Sequence, residues 1–164
     1  MLDYEQPTKY IVESTQYNDS YAVPVLTANQ AFILGYTDET DGVFKDTPVI
    51  IFDDFTTDTK FVNFPFKVKS SALKILKNKD NGKSDIKYLY HIIKTIKFNA
   101  ETHKRYWISE YSNIKIPLPS IDDQRRIVAK LEAEQEIIDA NKRLIDLMQD
   151  KINQVINRIY KCDI

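Results

Sequence analysis

Residues 121–160 contain neither Gly nor Pro and a single aromatic, Tyr160, and no other stretch limits the possible folds of this chain so sharply. Ahead of it, Pro117-Leu118-Pro119 can neither continue a helix nor donate ladder hydrogen bonds, so it reads as an extended joint. Ser120 then supplies an N-cap, with Asp123 at the third helical position as a variant of the capping box. Asp122 and Asp123 both favour the positive end of the helix dipole. Within the helix, a 3-4 alternation runs through Ile127, Leu131, Glu134, Ile138, Asn141, Ile145, Met148, Ile152, Val155 and Ile159, and eight of these ten positions are apolar. Such a seam, sustained over four heptads, predicts a coiled coil or two-helix packing. A forty-residue helix would be roughly 60 Å long at about 1.5 Å per residue, longer than the rest of the chain is wide. One chain cannot bury that stripe, so a partner helix is implied. Leu144, Leu147 and Ile156 widen the seam and suggest docking into a bundle as well. Two readings of Asn141 stand: a tolerated polar residue near a solvated crossover, or a buried Asn that sets register at a cost in stability.

Composition divides the chain at this joint. Residues 1–116 are rich in Phe, Tyr and Val in short runs, and ten Tyr with eight Phe overall can fill a real core. The predicted fold class is α+β: a mixed domain over 1–116, then the joint and long helix over 117–164. Val23–Thr27 and Phe32–Tyr36 read as strands around a turn at Ala28-Asn29-Gln30. Val49–Phe55 and Lys60–Val68 read as a hairpin about Thr56-Thr57-Asp58-Thr59. Ser71–Lys77 and Ile86–Phe98 read as helices separated by an Asn81-Gly82 turn, and Trp107–Ser109 and Ile114–Ile116 as closing strands.

Several function classes fall away. With 23 basic and 24 acidic side chains the chain is not a polybasic nucleic-acid binder. Three Gly leave no Gly-rich loop for a dinucleotide pyrophosphate. The lone Cys162 cannot form an intramolecular disulfide and suits a reducing cytoplasm. No apolar run approaches the roughly 18 residues of a membrane span, and the start of the chain does not resemble a signal peptide. The expectation is a cytoplasmic protein away from the membrane.

No catalytic constellation stands out, and neither a cofactor nor a metal is expected. Asp53 and Asp54 are neighbours after an apolar strand and would point to opposite faces, which favours structural or turn-capping roles. Asp58-Thr59-Lys60 matches part of a Mg²⁺-dependent nuclease site but falls in a Thr-rich turn. Asn63-Phe64-Pro65-Phe66 is similar to the Asn-Pro-Pro-aromatic tetrad of amino-methyltransferases, without its first Pro and without cofactor-binding glycines. His91 reads as a core or surface histidine, and two His with one Cys offer no metal-site spacing.

A binding signal remains. Lys60, Lys67, Lys69, Lys74, Lys77 and Lys79 lie in one run without an acid, interleaved with Phe61, Phe64 and Phe66. Lys neutralises phosphate, and Ser70 and Ser71 can follow backbone or base edges. The alternative is a solvated Lys face. His103-Lys104-Arg105-Tyr106-Trp107 is a second cluster, with Arg the commonest reader of guanine; its alternative is that Tyr106 and Trp107 belong to the core. Charge is segregated: residues 1–58 hold two basic and eleven acidic side chains, 59–115 hold thirteen and four, and 116–164 hold eight and nine.

Taken in order, Val23-Pro-Val-Leu-Thr27, Phe32-Ile-Leu-Gly-Tyr36, Pro48-Val-Ile-Ile-Phe-Asp-Asp-Phe-Thr56, Phe64-Pro-Phe-Lys-Val68, His103-Lys-Arg-Tyr-Trp107, Ile116-Pro-Leu-Pro119 and Gln124-Arg-Arg-Ile-Val128 resemble the specificity subunit of type I restriction–modification systems. The resemblance covers nearly the whole chain. It implies a non-catalytic subunit that reads a bipartite target in double-stranded DNA and recruits an adenine methyltransferase, and through it a restriction subunit. Usual members carry two recognition domains and two long antiparallel helices; this chain has one of each and looks like a half-subunit. A homodimer through Ile127, Leu131, Ile138, Asn141, Ile145, Met148, Ile152, Val155 and Ile159 would complete it. On charge and expected exposure, the DNA contacts are assigned to Lys67, Lys69, Ser70, Ser71, His103, Lys104 and Arg105, with Asn29 and Tyr36. Rival readings are a coiled-coil adaptor without DNA binding, a nuclease using Asp58 and Lys60, the recognition fragment of a fused methyltransferase–nuclease, and a truncated or decoy half-subunit.

Overall fold

The computed structural model describes residues 1–27, 31–96 and 105–161. They divide into two compact units, Met1–Arg125 and the chain from Arg126 onward. The first unit is built from two sheets. β1 (Leu2–Glu5), β7 (Leu73–Asn78), β4 (Val49–Asp53) and β5 (Thr59–Val62) form an antiparallel sheet in the order β1-β7-β4-β5. A smaller sheet has the order β3-β2-β6, with β2 (Val23–Leu26) antiparallel to β3 (Ile33–Thr37) and parallel to the two-residue β6 (Lys67–Val68).

Strand β4 shows why the sheet sits centrally. Val49, Ile50, Ile51 and Phe52 are all fully buried, because the strand is covered on both faces and alternation puts consecutive side chains on opposite sides. Val49 and Ile51 join Leu73, Ile75 and Val62 in a cluster with Leu26, Phe66 and Val68, which welds the two sheets together. On the other face Phe52 packs edge-on against Trp107 at 5.5 Å and Tyr111 at 4.7 Å. Helix α1 (Ile86–Thr95) lies over β4 and β5 with Ile86, Tyr88, Leu89 and Ile93 buried, and Asp85 caps it by accepting from the amides of Lys87 and Tyr88 at 2.9 and 3.0 Å.

Four expectations need correction. Ser71–Lys77 was expected to be helical, but Leu73–Asn78 is strand β7. Its buried residues run consecutively from Leu73 to Leu76 because Lys74 is buried as an ion pair, and a consecutive apolar-plus-Lys run has no visible period of two. Lys60–Val68 is not one strand but β5 and β6, in different sheets; Pro65, which has no N–H, stands between them. Trp107 lies in a helical turn, α2 (Tyr106–Ser109), because its amide bonds to a carboxylate instead of a neighbouring strand. Ile114–Ile116 is not a strand. β1, a four-residue edge strand with no buried side chain to mark it in the sequence, adds an outer strand to β7.

Helix α3 (Ile121–Lys161) is continuous over 41 residues. Ser120 Oγ accepts from the Asp123 amide at 3.2 Å and bonds its carboxylate at 2.7 Å, as the capping reading expects. Gln124 secures the first turn within the first unit: its carbonyl accepts from the Asp85 amide at 2.9 Å and its amide donates to Lys83 O and Pro119 O at 2.9 and 2.8 Å. Beyond it, the apolar seam is exposed, from 39% at Ile127 to 66% at Ile145. Among the described residues, no helix is long and apolar enough to cross a membrane.

Candidate nucleic-acid interface

The connections that leave the ends of β2, β4 and β6 gather at one edge of the first unit. The Lys69 amide bonds Leu26 O at 3.0 Å, which brings the β6–β7 loop to the end of β2. Asp54 ties in the other two segments. Its amide donates to Ala72 O at 3.2 Å, and its carbonyl accepts from the Tyr106 amide at 3.0 Å. One carboxylate oxygen accepts from the Trp107 amide at 2.9 Å, while the other lies 3.3 Å from Lys74 Nζ. Asp54 and Lys74 are both 2% exposed, so the pair is internal and holds the β4–β5 turn, the β6–β7 loop and the start of α2 together.

Asp53 does different work beside it. Its carboxylate accepts from the amides of Phe55 and Thr56 at 2.8 and 2.9 Å and closes the β4–β5 turn, in which Thr57 takes a left-handed φ of 64°. The two carboxylates therefore diverge, as alternation along the strand requires. Among the described residues no three His, Cys, Asp or Glu side chains converge on a metal-sized site.

On the exposed side of this edge stand Lys69, Ser70, Ser71 and Arg105, all expected as DNA contacts. Phe55, 44% exposed at the turn tip, joins them; its place beyond an Asp-Asp pair was the only signal for it in the sequence. Tyr36 is half-buried on β3 opposite Pro24, two positions back along β2 from Leu26. Asn29, His103 and Lys104 lie outside the described residues.

Lys67 requires a correction. It is 4% exposed, its ammonium lies 2.6 Å from Glu39, and it donates to Asp41 O at 2.8 Å. A buried, neutralised ammonium cannot meet a phosphate, so Lys67 is withdrawn as a surface contact. Gly42 makes the enclosure possible: at φ 61° a Cβ there would stand 2.6 Å from Lys9 O. Glu39 also accepts from the Glu13 and Ser14 amides at 3.0 and 2.9 Å. Burial pushes the Glu39 carboxyl upward, but Lys67 and these amides outweigh it and hold the group below its ordinary range.

The same reasoning thins the rest of the lysine run. Lys74 is inside, and Lys77 is shared between Glu5 at 2.8 Å and Asp46 at 2.9 Å. Among the described residues, the cations exposed at this edge are Lys69 and Arg105, with the hydroxyls of Ser70 and Ser71 beside them. Such a set suits phosphate and base-edge contacts.

Comparisons with known proteins identify the family. Residues 4–157 match the family model described as the type I restriction modification DNA specificity domain. The specificity subunit of the Escherichia coli type I restriction enzyme EcoR124I/EcoR124II is 51% identical over 130 residues, covering 77% of this chain and 32% of that one. The chain thus spans about a third of the length of this curated relative. A chain from a structure on complex assembly and conformational transition of the type I R-M system has the same fold, with a TM-score of 0.57 at 16% identity, over 94% of this chain and 43% of that one. The HsdS subunit from Thermoanaerobacter tengcongensis aligns over 87% of this chain and 39% of its own, with a TM-score of 0.46 and 18% identity.

Proposed function

The chain belongs to the type I restriction–modification DNA specificity family, whose subunits are non-catalytic recognition components, and from that premise we propose that it reads half of a bipartite target and works as a homodimer. Residues 1–116 act as the target-recognition domain, and residues 117–164 as the joint and the spacer and dimerisation helix. The partners are double-stranded DNA, a second copy of the chain, an adenine methyltransferase and, through the methyltransferase, a restriction subunit. The setting is the cytoplasm.

One observation carries the DNA reading: Asp54 draws three separated chain segments together and leaves Lys69, Ser70, Ser71 and Arg105 exposed on one edge. Lys69 supplies phosphate neutralisation, the two serines hydrogen bonds to backbone or base edges, and Arg105 a donor fork for a base. Asn29, His103, Lys104 and Tyr36 remain assigned to the same surface. The methyltransferase supplies the pocket for the flipped adenine; this chain supplies position.

Two identical recognition domains related by a two-fold axis read an inverted repeat. Single-molecule methylation mapping in the host should show such a motif, and an asymmetric motif would require a different second half. With the mapped duplex as probe, Lys69→Ala should weaken binding to target and unrelated DNA alike and reduce the salt slope by about one. Arg105→Ala should cost roughly 1–3 kcal/mol, mainly in discrimination between the two duplexes. Unchanged affinity and salt slope in both variants would overturn the assignment of this edge.

A further inference from the structure

The exposed seam of α3 has a property that specifies how a second copy would pair with it. From Ile127 to Ile159 the steps between seam positions run 4-3-4-3-4-3-4-3-4, which reads the same from either end and has its midpoint at residue 143. We infer that two copies of α3, paired antiparallel as in the usual members, meet with the two-fold axis level with residue 143, in the single register that aligns all ten seam positions. The inference rests on the homodimer reading above and adds the register to it.

Antiparallel helices slide past one another in heptad steps, because each seam layer must match the complementary layer opposite. With the axis at residue 143, Ile127 lies level with Ile159 of the second copy, Leu131 with Val155, and so inward to Asn141 with Ile145. A slide of one heptad leaves either Val155 and Ile159 or Ile127 and Leu131 without a partner on each copy. These four side chains are 56%, 60%, 39% and 40% exposed, so a slipped register leaves substantial apolar area in water. The aligned register removes well over the roughly 1,000 Å² that a specific interface needs.

Charge agrees with burial. Glu134, the one acidic seam position, falls level with Ile152 of the second copy and therefore beside Lys151. A slide toward the start of the helix puts Leu144 in the place of Lys151 and leaves Glu134 without a cation there. The two Asn141 amides stand two residues either side of the two-fold axis, about 6 Å apart along the helix pair, within reach of each other. In this register the two Ile121 residues lie on the order of 65 Å apart along the pair.

Cysteine pairing tests the register in the full chain, with Cys162→Ser in every variant. Leu131→Cys and Val155→Cys chains, co-expressed and mildly oxidised, should give a cross-linked dimer many-fold above either variant alone, since a disulfide needs Cβ atoms within about 4.5 Å. Cross-linking of Leu131→Cys with Met148→Cys in its place would show the slipped register and overturn the proposal while leaving the homodimer standing. Cross-linking of Leu131→Cys with itself would show parallel helices and overturn it as well. Light scattering that finds only monomer in the unsubstituted chain would sink the homodimer reading together with its register.

Discussion

Asp54 shows how much one buried side chain can organise. It satisfies a Lys74 ammonium and a Trp107 amide, neither of which has access to water, and its own backbone links two further segments. Asp54→Ala leaves a charge buried without its counter-ion, and we expect a loss of about 3–5 kcal/mol in urea unfolding. Lys74→Met added to it should restore most of that loss, since the uncompensated charge is then gone. A cost under about 1 kcal/mol for Asp54→Ala would mean that Lys74 finds water or another partner. Glu5 offers a second test, by pH. Burial raises its pKa, but hydrogen bonds from Lys77, Lys9 and Tyr10 outweigh this and bring it down from 4.5 to about 2. A lowered folded-state pKa adds stability above the unfolded value and loses it as pH falls through the folded one. The stability gap between the wild-type chain and Glu5→Gln should therefore be full above about pH 4.5 and close as pH approaches about 2. A gap independent of pH over that window would refute the assignment.

At the scale of elements, legibility followed the source of each element's stability. Helix α3 was legible from end to end because Ser120, Asp123, an uninterrupted 3-4 pattern and the absence of Gly and Pro are all local. The β4–β5 hairpin was legible for the same reason, with an apolar strand before a Thr-Asp turn. β7 was not, because its buried residue Lys74 owes its place to Asp54, twenty positions earlier in the chain, and no local pattern distinguishes an ion-paired Lys from a solvated one. α2 failed likewise: Trp107 is held by Phe52 and Asp54, both remote in sequence. The candidate DNA edge was half legible. Its exposed residues announced themselves by type, while Lys67 and Lys74, of the same type, were drawn inside by acids from distant loops.

For the whole molecule, charge segregation along the chain has a structural outcome. Acids of the first third pair with lysines of the middle third: Glu5 with Lys77, Glu39 with Lys67, Asp46 with Lys77 and Asp54 with Lys74. Three lysines of the middle third, Lys67, Lys74 and Lys77, are thus neutralised by acids of the first. The exposed apolar seam carries the remaining prediction at this scale. If a second copy covers it, melting should depend on concentration, rising roughly 2–3 °C for each tenfold increase in chain. A melting temperature independent of concentration would mean that the seam stays uncovered or is covered by something else. By itself, the sequence determined a mixed α and β part followed by a long capped helix with an apolar seam. Those features depend on neighbours within a turn or two. Only the tertiary structure decided which lysines reach solvent and which loops share an edge. Burial and ion pairing are settled between residues far apart in the chain, and Asp54 meets Lys74 and Trp107 only once the sheets have closed.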